Sequence, residues 1–498
     1  MISRDADDSL VPHSYIVTDA YRGNMANPKF RQRIIDLSKV QIDAGVNGIF
    51  FDEVNAGYSG NTFDGNEGFD DYHLKDFNHF LAEKHPDFTI QQWCTTYKMD
   101  LTNVLDTSKP LDDLEHNFNY RTYLKKNGWN SSPFSTANPL AKVWGTTTSN
   151  RPDTNRTTFV QKYAIDVYWK EIVAAVRDYA RQTYSKEIII TSNGIFPYVD
   201  FNSVGLFNWN VDNNGSEAKY VPVNSSGHLN GTVSLGNVFR NLYRRNAAVS
   251  GNVPCVLFID WPTDMINSYY GFTPSEKMDY WRIYAAEAYA HGLFFSFHFK
   301  TSIYGDPTAV ESGVFDSLVN YAAFYKANRD LFENCSLTDT TAEVSKQNIT
   351  TSLTSQPDKK RYLVHAVNHN YENGIKPQYN VTFTVPLGIK FKRIRAFSPD
   401  IAAPVEPPVQ YTGNKISCTL DTLRYYTVFS LEYGDVAVKC NPAISKINSS
   451  CNHRVNALVN LQGKRIGIAN IKSLHSTRHY SSGVYLSDIQ EKEMIIKK

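Results

Sequence analysis

The sequence predicts an α/β domain built on a parallel sheet, followed by an all-β domain. In the first two-thirds of the chain, short apolar strands alternate with amphipathic helices, and fully apolar strands are typical of a parallel sheet covered by helices. After residue 335, turn residues separate short strands, and Val and Phe alternate with Thr over 381–385, the period of a half-buried strand. The chain has 498 residues, 42% of them hydrophobic, so it can form several domains.

The first predicted units occupy residues 15–84. A strand at 15–18 ends before Asp19, and a second at 48–51 ends before Asp52 and Glu53. Apolar residues recur at helical spacing between these strands, which predicts a helix there. Gly45 marks the end of that helix. Its apolar face consists of Phe30, Ile34, Leu37, Val40 and Ala44. A further helix is predicted at 73–84.

Residues 88–156 are rich in Asn, Ser, Thr and Trp, which predicts a long irregular insertion. The strand and helix pattern resumes after it. The predicted strands are 188–191, 204–207, 256–259 and 293–297, and the predicted helices are 159–184, 238–248, 275–291 and 316–331. Together with the first two strands, this pattern amounts to six strand–helix units.

A TIM barrel has eight such units. We therefore predict a (β/α)8 TIM barrel over residues 1–335 that lacks its first two strand–helix units. The chain would then be an N-terminally truncated or mis-started product, and its polar, acidic start, without a signal peptide, agrees with that interpretation. The alternatives are an open sheet, or strands hidden in the insertion at 88–90 or 142–144.

A β-sandwich is predicted over residues 336–435, and a separate small β module over 436–498. Strands of the sandwich are expected at 362–368, 380–385, 393–397, 415–420 and 426–431. Of the six cysteines, none shows zinc-site spacing, and Cys440 could pair with Cys451 in the last segment.

Composition excludes several classes of function. Lys and Arg number 51 against 50 Asp and Glu, so a protein that chiefly binds nucleic acid or an anionic membrane is disfavoured. No apolar run approaches the length of a membrane span. The motifs of NTPases, dinucleotide enzymes, zincins and serine hydrolases do not occur. The acidic, glycine-rich run at 64–71 lacks EF-hand spacing and is interpreted as a substrate-side loop or solvated turn. We therefore predict no metal and no cofactor.

Polar residues follow the predicted strands, where the active sites of TIM barrels lie. Glycoside hydrolysis needs two carboxylates, and aromatic rings and amides bind sugars. The candidate catalytic carboxylates are Asp52, Glu53, Asp212 and Asp260. The candidate substrate-binding residues are Asp19, Asn193, Asn208, Trp209, Trp261 and His298. Each also has a structural interpretation, as a loop hydrogen-bonding group, an Asn-Gly turn or a core side chain.

One stretch carries a resemblance to a known family. Asn27-Pro28 and the run from Asp43 to Glu53 (Asp-Ala-Gly-Val-Asn-Gly-Ile-Phe-Phe-Asp-Glu) resemble the fourth strand of TIM-barrel glycoside hydrolases, including barrels related to the alpha-glucan-cleaving families. The segments 362–368 and 396–400 resemble the sandwich that follows the barrel in those families. The resemblance implies that Asp52 occupies the place of the nucleophile.

The sequence departs from that family at a later strand. Where a carboxylate acid is typical, this chain has Phe207-Asn208-Trp209. Asp212 or Asp260 could serve as the acid instead, or Glu53 could be the acid/base with Asp260 as nucleophile. These assignments remain open.

The last segment resembles the C-terminal sorting domain of type IX secretion substrates of Bacteroidetes. The resembling pieces are 460–466, 482–486 and 495–498. The resemblance implies a secreted or cell-surface protein that interacts with the type IX secretion machinery. The alternative is that the last segment is an accessory β module.

The hypothesis is a glycoside hydrolase acting on a polysaccharide or oligosaccharide, without nucleic-acid partners or membrane insertion. The alternatives are a non-catalytic carbohydrate-binding surface protein on a degenerate barrel and a structural surface protein.

Overall fold

Two compact units divide the chain: Met1–Val204 with Arg244–Gly251, and Gly205–Tyr243 with Asn252–Lys498. The computed structural model describes residues 2–12, 21–51, 67–105, 114–145, 156–205, 226, 228, 236–251, 253–259, 272–297 and 314–434.

The first unit contains a parallel sheet in the order β1-β2-β3. Its strands are β1 (Gly48–Phe51), β2 (Ile189–Asn193) and β3 (Phe201–Gly205, of which 201–204 belong to this unit). Its helices are α1 (Pro28–Asp43), α2 (Asp71–Lys84), α3 (Ile90–Tyr97), α4 (Leu114–Asn117), α5 (Tyr120–Lys126), α6 (Ala141–Trp144), α7 (Phe159–Lys162), a π-helical segment (Tyr163–Trp169) and α8 (Lys170–Tyr184). Helix α9 (Gly236–Ser250) contributes residues 244–250.

The predicted first helix is confirmed, but the face it buries differs from its apolar face. Asn27 caps α1 by accepting from the Lys29 amide, and Gly45 follows its end at φ +94°. The buried side chains are Arg31, Ile35, Ser38 and Ile42, whereas Leu37 and Val40 are 47% and 65% exposed. On this side of the helix, the Arg31 guanidinium pairs with Glu171 of α8 and donates to the Met25 and Ala26 carbonyls.

Helices cover one face of the β1–β3 sheet. Phe51, Ser192 and Asn202 are register partners, so their side chains share a face. Phe51 contacts Trp169 just before α8 at 5.1 Å between ring centroids. The Asn202 amide donates to Asn246 and Ser250 of α9, each at 2.7 Å. Helices from before β2 and after β3 thus lie on the same side of the sheet.

The insertion is more regular than predicted. It contains α3 to α6, so the interpretation of 88–156 as irregular is wrong in those parts, and the alternative of hidden strands is wrong because residues 142–144 are helical. Thr89 and Gln92 form a capping box that begins α3, and Asn119 caps α5. Polar residues that resembled loop composition are therefore helix caps.

The second unit combines parallel strands with two antiparallel sheets. Strand β4 (Cys255–Ile259) pairs in parallel with β5 (Phe294–Phe297), and the helices are α10 (Pro274–Ala290) and α11 (Val314–Ala327). The antiparallel strands are β6 (Ser336–Leu337), β7 (Glu343–Val344), β8 (Ile349–Gln356), β9 (Arg361–Asn368), β10 (Gln378–Val385), β11 (Phe391–Phe397), β12 (Val409–Thr412), β13 (Lys415–Leu423) and β14 (Tyr426–Tyr433). The sheets have the orders β12-β13-β10-β7 and β11-β14-β9-β8-β6.

Both antiparallel sheets contribute to one apolar core, which is consistent with the predicted β-sandwich. Phe383 of β10 and Phe429 of β14 meet there with ring centroids 5.0 Å apart. The five-stranded sheet also packs against α10 through polar groups: Glu287 lies 2.7 Å from His369 and 3.1 Å from Thr350. Ser352 donates to the Ala290 carbonyl at the end of that helix.

Several expectations stay predictions. The boundaries at 335 and 435 are untested, and the module at 436–498, with Cys440 and Cys451, lies outside the described residues. Cys94, Cys255 and Cys335 are free thiols, as is Cys418. Within the described ranges, the helices are too short or too polar for any of them to traverse a bilayer.

Candidate functional site

Most of the predicted site residues lie outside the described part of the chain. They are Asp19, Asp52, Glu53, Asn208, Trp209, Asp212, Asp260, Trp261 and His298. Asn193 is the last residue of β2, where its backbone is described. Strands β1, β4 and β5 end at the residues immediately before Asp52, Asp260 and His298. The strand predicted at 204–207 begins at Phe201 instead, because Phe201 and Asn202 already pair with β2.

The face of the β1–β3 sheet opposite the helices is called the inner face here. In register, Phe50, Thr191 and Phe201 form one row across it. One step nearer the carboxyl ends of the strands, Asn193 pairs with Ser203. Because side chains alternate along a strand, the row of Phe50, Thr191 and Phe201, and Ser203 likewise, point away from Trp169 and α9.

Two hydroxyl groups on the inner face are buried. Thr191 is 6% exposed and Ser203 is 1% exposed. Within the described part of the chain, neither hydroxyl has a hydrogen-bond partner. A buried polar group left unpaired costs roughly 1–3 kcal/mol of folding free energy. Hydroxyls both donate and accept, so each of these buried groups has hydrogen-bonding capacity that the described residues do not use.

Ser192, between them in sequence, provides an internal contrast. Its side chain is fully buried on the helix-covered face and likewise lacks a partner among the described residues. Its register partner Asn202 is well bonded, since it also accepts from the Phe196 amide at 2.9 Å. Each face therefore buries an unpaired hydroxyl, and the helix-covered face is the one that Trp169 and α9 contact.

The end of β1 is supported from the helix side. Trp169 packs edge-on against Phe51 and donates from its indole nitrogen to the Pro197 carbonyl at 2.9 Å. Trp169 ends the π-helical segment, and such segments are frequent at functional sites. The residue immediately before Asp52 is consequently held by packing.

A second polar cluster, missed by sequence reasoning, joins α1, α2 and the π-helical segment. Asp70 caps α2 and lies 2.6 Å from His73 Nδ1, and Tyr168 donates to Asp76. Burial alone would raise the pKa of Asp70, but the charge and hydrogen bond of His73 hold it below its usual value. Burial raises the pKa of Asp76, although the Tyr168 hydrogen bond opposes the shift.

The prediction for the acidic run at 64–71 needs correction over its described residues, 67–71. Glu67 is fully buried and pairs with Arg22 at 3.0 Å, and Asp70 is a helix cap, so neither residue belongs to a solvated turn. The Asp70 and His73 spacing of three at a helix start is the signal that could have revealed the cluster. Groups of three or more metal-ligating side chains do not occur among the described residues.

The comparisons with known proteins give no family. No family model and no curated protein matches the sequence. Similar solved structures include a β-galactosidase from Marinomonas ef1, with 14% identity over 66% of this chain and 47% of that one and a TM-score of 0.39. A maltogenic alpha-amylase from Thermotoga neapolitana has 13% identity over 83% of this chain and 97% of that one, with a TM-score of 0.33.

A third similar structure is a cycloisomaltooligosaccharide glucanotransferase from Paenibacillus sp., with 14% identity, 30% of this chain covered and a TM-score of 0.26. The chain spans 26% of the length of that glucanotransferase. Likeness this weak carries no argument about the fold or the activity of this chain.

Proposed function

We propose that this protein is a glycoside hydrolase that acts on a polysaccharide or oligosaccharide. Asp52 is the first catalytic carboxylate, with Asp260 or Glu53 as its partner and Asp212 as the remaining candidate. In this proposal, the strands with helices on one side belong to a (β/α)8 TIM barrel that lacks its first two units in this chain.

The register of β1, β2 and β3 carries the proposal. Phe51 pairs with Ser192, and Asn193 pairs with Ser203, so the carboxyl ends of the parallel strands β1, β2 and β3 lie at one edge of the sheet. In the sequence, Asp52 directly follows β1, and Asn193 is the last residue of β2. In this proposal a carboxylate and an amide act together at that edge. Carboxylates perform glycoside hydrolysis, and amides and hydroxyls orient sugars.

The sequences that follow the strands favour a neutral glycan. Their only Lys or Arg residues are Lys219 and Lys300, although the whole chain has 51 such residues among 498. Phosphorylated, sulfated or carboxylated sugars are usually bound through Arg or Lys. The segments are 52–66, 206–225, 260–271 and 298–313.

The remaining predicted residues take binding roles in this proposal. Aromatic rings stack on sugars, and carboxylate, amide and imidazole groups bind their hydroxyls. Trp209 and Trp261 are the stacking platforms; Asp19, Asn193, Asn208 and His298 are the polar contacts. A secreted or surface location, reached through the type IX machinery, rests on the resemblance of the last segment alone.

The test is product release from a panel of neutral polysaccharides by the full chain and its Asp52→Asn variant. Asp36→Asn is the matched control, because Asp36 is an exposed carboxylate on α1 that accepts from Gln32. We expect oligosaccharide release by the parent and the control, and a rate lower by a factor of about 10³ or more for Asp52→Asn, the range seen when a catalytic group is removed.

Each other outcome identifies an alternative. Equal rates for parent and Asp52→Asn would contradict the assignment of Asp52. A parent that binds oligosaccharides without cleaving them is a carbohydrate-binding protein. A parent that neither binds nor cleaves any of the polysaccharides is neither a glycoside hydrolase nor a carbohydrate-binding protein.

A further inference from the structure

We propose that this protein self-associates through helix α1, which packs antiparallel against α1 of a second copy of the chain. The contact is made by the apolar face that the sequence predicts for this helix: Phe30, Ile34, Leu37, Val40 and Ala44. This inference concerns a surface that the proposed function does not use, and it does not rest on that function.

One side of α1 is packed against its own chain. Arg31 pairs with Glu171 of α8, the Lys39 ammonium lies 5.2 Å from the centre of the Tyr179 ring, and Asp43 accepts from the Tyr179 hydroxyl. With 3.6 residues per turn, these positions lie on the side of the helix opposite Leu37. The apolar face is therefore turned away from α8.

The apolar face is accessible to a partner. Leu37, Val40 and Ala44 are exposed, and Phe30 and Ile34 are half-buried. Phe30, Leu37 and Ala44 are spaced seven residues apart, which is the repeat of a helix that packs lengthwise against another helix. Single exposed apolar residues are normal on a protein surface, but apolar residues that share one stripe mark an interaction site.

The order of residues along the stripe matches a second copy of the same helix. When two α1 helices pack antiparallel about a two-fold axis at Leu37, Phe30 of one copy lies opposite Ala44 of the other. Ile34 of one copy then lies opposite Val40 of the other. The largest side chain meets the smallest, and every apolar position meets an apolar position, so the stripe is self-complementary.

The charges beside the stripe favour the same arrangement. Lys29, Asp36 and Asp43 are exposed and are also spaced seven residues apart, along one flank of the apolar face. In an antiparallel pair this flank meets itself, so Lys29 faces Asp43 of the other copy twice and Asp36 faces its own equivalent once. In a parallel pair the flank would face Ile34 and Gln41, and no ion pair would form.

The size of the contact predicts a weak dimer. Helix α1 has 16 residues and is therefore about 24 Å long. A single pair of such helices buries less than the roughly 800 Å² per partner of a standard interface, so we expect a dissociation constant on the order of 10–100 μM. Sedimentation equilibrium of the full chain from about 5 to about 300 μM measures it.

Three variants test the arrangement. Leu37→Glu places two carboxylates against each other at the two-fold axis and should raise the dissociation constant at least about 10-fold. Lys29→Glu turns both ion pairs into repulsions and should raise it about 3- to 10-fold, whereas Asp36→Asn removes the one repulsion and should lower it about 2-fold. Val319→Glu, at an exposed apolar position of α11, is the matched control and should leave it unchanged.

Folding is checked by thermal midpoints at a concentration below the dissociation constant, where all variants should match the parent. A parent that stays monomeric over the whole range would overturn the inference. So would a dimer that Leu37→Glu and Val319→Glu weaken equally, because its contact would lie elsewhere. Shifts of Lys29→Glu and Asp36→Asn in the same direction would overturn the antiparallel arrangement.

Discussion

Buried polar side chains in two regions of the molecule differ in their hydrogen bonds. Where α10 meets the five-stranded sheet, His365 has both ring nitrogens bonded, to Thr354 at 3.1 Å and to Tyr426 at 2.8 Å. On the inner face of β1–β3, the hydroxyls of Thr191 and Ser203 are unpaired within the described ranges. The contrast holds for these particular side chains, since Ser430 of the five-stranded sheet and Ser192 of the β1–β3 sheet are also buried hydroxyls without a partner among the described residues.

This difference determines how each region responds to mutation. Removing one member of a paired buried set leaves its partner unsatisfied and destabilises the fold. Removing an unpaired buried hydroxyl removes a cost to folding. Mutations of the paired groups at the α10 contact should therefore lower stability, and mutations of the unpaired hydroxyls should leave it unchanged or raise it.

The largest effect is expected from His369→Leu. Burial would raise the pKa of Glu287, but the hydrogen bond and charge of His369 hold it below its usual value, so Glu287 is charged at neutral pH. Without His369, this fully buried carboxylate loses its nearest partner, and the loss in unfolding free energy should be about 3 kcal/mol.

Denaturant unfolding of the full chain measures that loss. His79→Leu is the control, since His79 pairs with Glu83 and Glu115 at an exposed position. A loss below about 1 kcal/mol for His369→Leu is the size typical of a surface ion pair. It would show that the His369–Glu287 pair does not stabilise the contact between α10 and the five-stranded sheet.

The next effect is acid destabilisation of the same region. Burial, reinforced by the nearby His291, lowers the pKa of His365 to about 3. Between pH 7 and pH 5 the unfolded state, with a His pKa near 6.5, takes up a proton that the folded state does not. The contribution of the lowered His365 pKa to the unfolding free energy is therefore fully present above about pH 7. The unfolding free energy should fall by about 2 kcal/mol at pH 5.

His291 and Glu287 act in the same direction. Burial lowers the pKa of His291, and the depressed pKa of Glu287 adds a loss of stability below the unfolded value of 4.5. Unfolding free energies at pH 5 and pH 7 test the prediction. The His365→Gln variant should show a shallower dependence on pH than the parent, whatever its absolute stability; identical slopes would contradict the assignment.

The sequence predicted the apolar strands best. β1 was predicted with its observed bounds, because Gly45 and the continuous run 48–51 leave one interpretation. β8 was missed, because its Ser and Thr side chains, such as Ser352, face the polar contact with α10 and obscure the period of two. The apolar face of α1 misled because two polar residues, Arg31 and Ser38, pack inward together with Ile35 and Ile42.

For the site, the sequence identifies carboxylates that follow strands but not the hydroxyls between them. Thr191 and Ser203 are ordinary strand residues in the sequence. Their position becomes informative only when the register brings β2 and β3 together, and when Phe51 and Asn202 show which face the helices cover. Such information depends on pairings between separate segments, which no local pattern contains.

The smallest expected effect tests the comparison most directly, because the same substitution, serine to alanine, is made in both regions. Ser352→Ala removes a fully buried hydroxyl that donates to the Ala290 carbonyl, and Ser203→Ala removes an almost fully buried hydroxyl that is unpaired within the described residues. We expect Ser352→Ala to lower the unfolding free energy by about 1 kcal/mol and Ser203→Ala to leave it unchanged or raise it by up to about 1 kcal/mol.

Thermal midpoints and denaturant unfolding of the two variants and the parent, at one pH, measure the difference. Opposite signs would mean that the Ser203 hydroxyl costs stability, as expected of a buried hydroxyl without a partner. Equal losses in the two variants would mean that the Ser203 hydroxyl is paired within the fold, and the inner face would then be organised like the α10 contact.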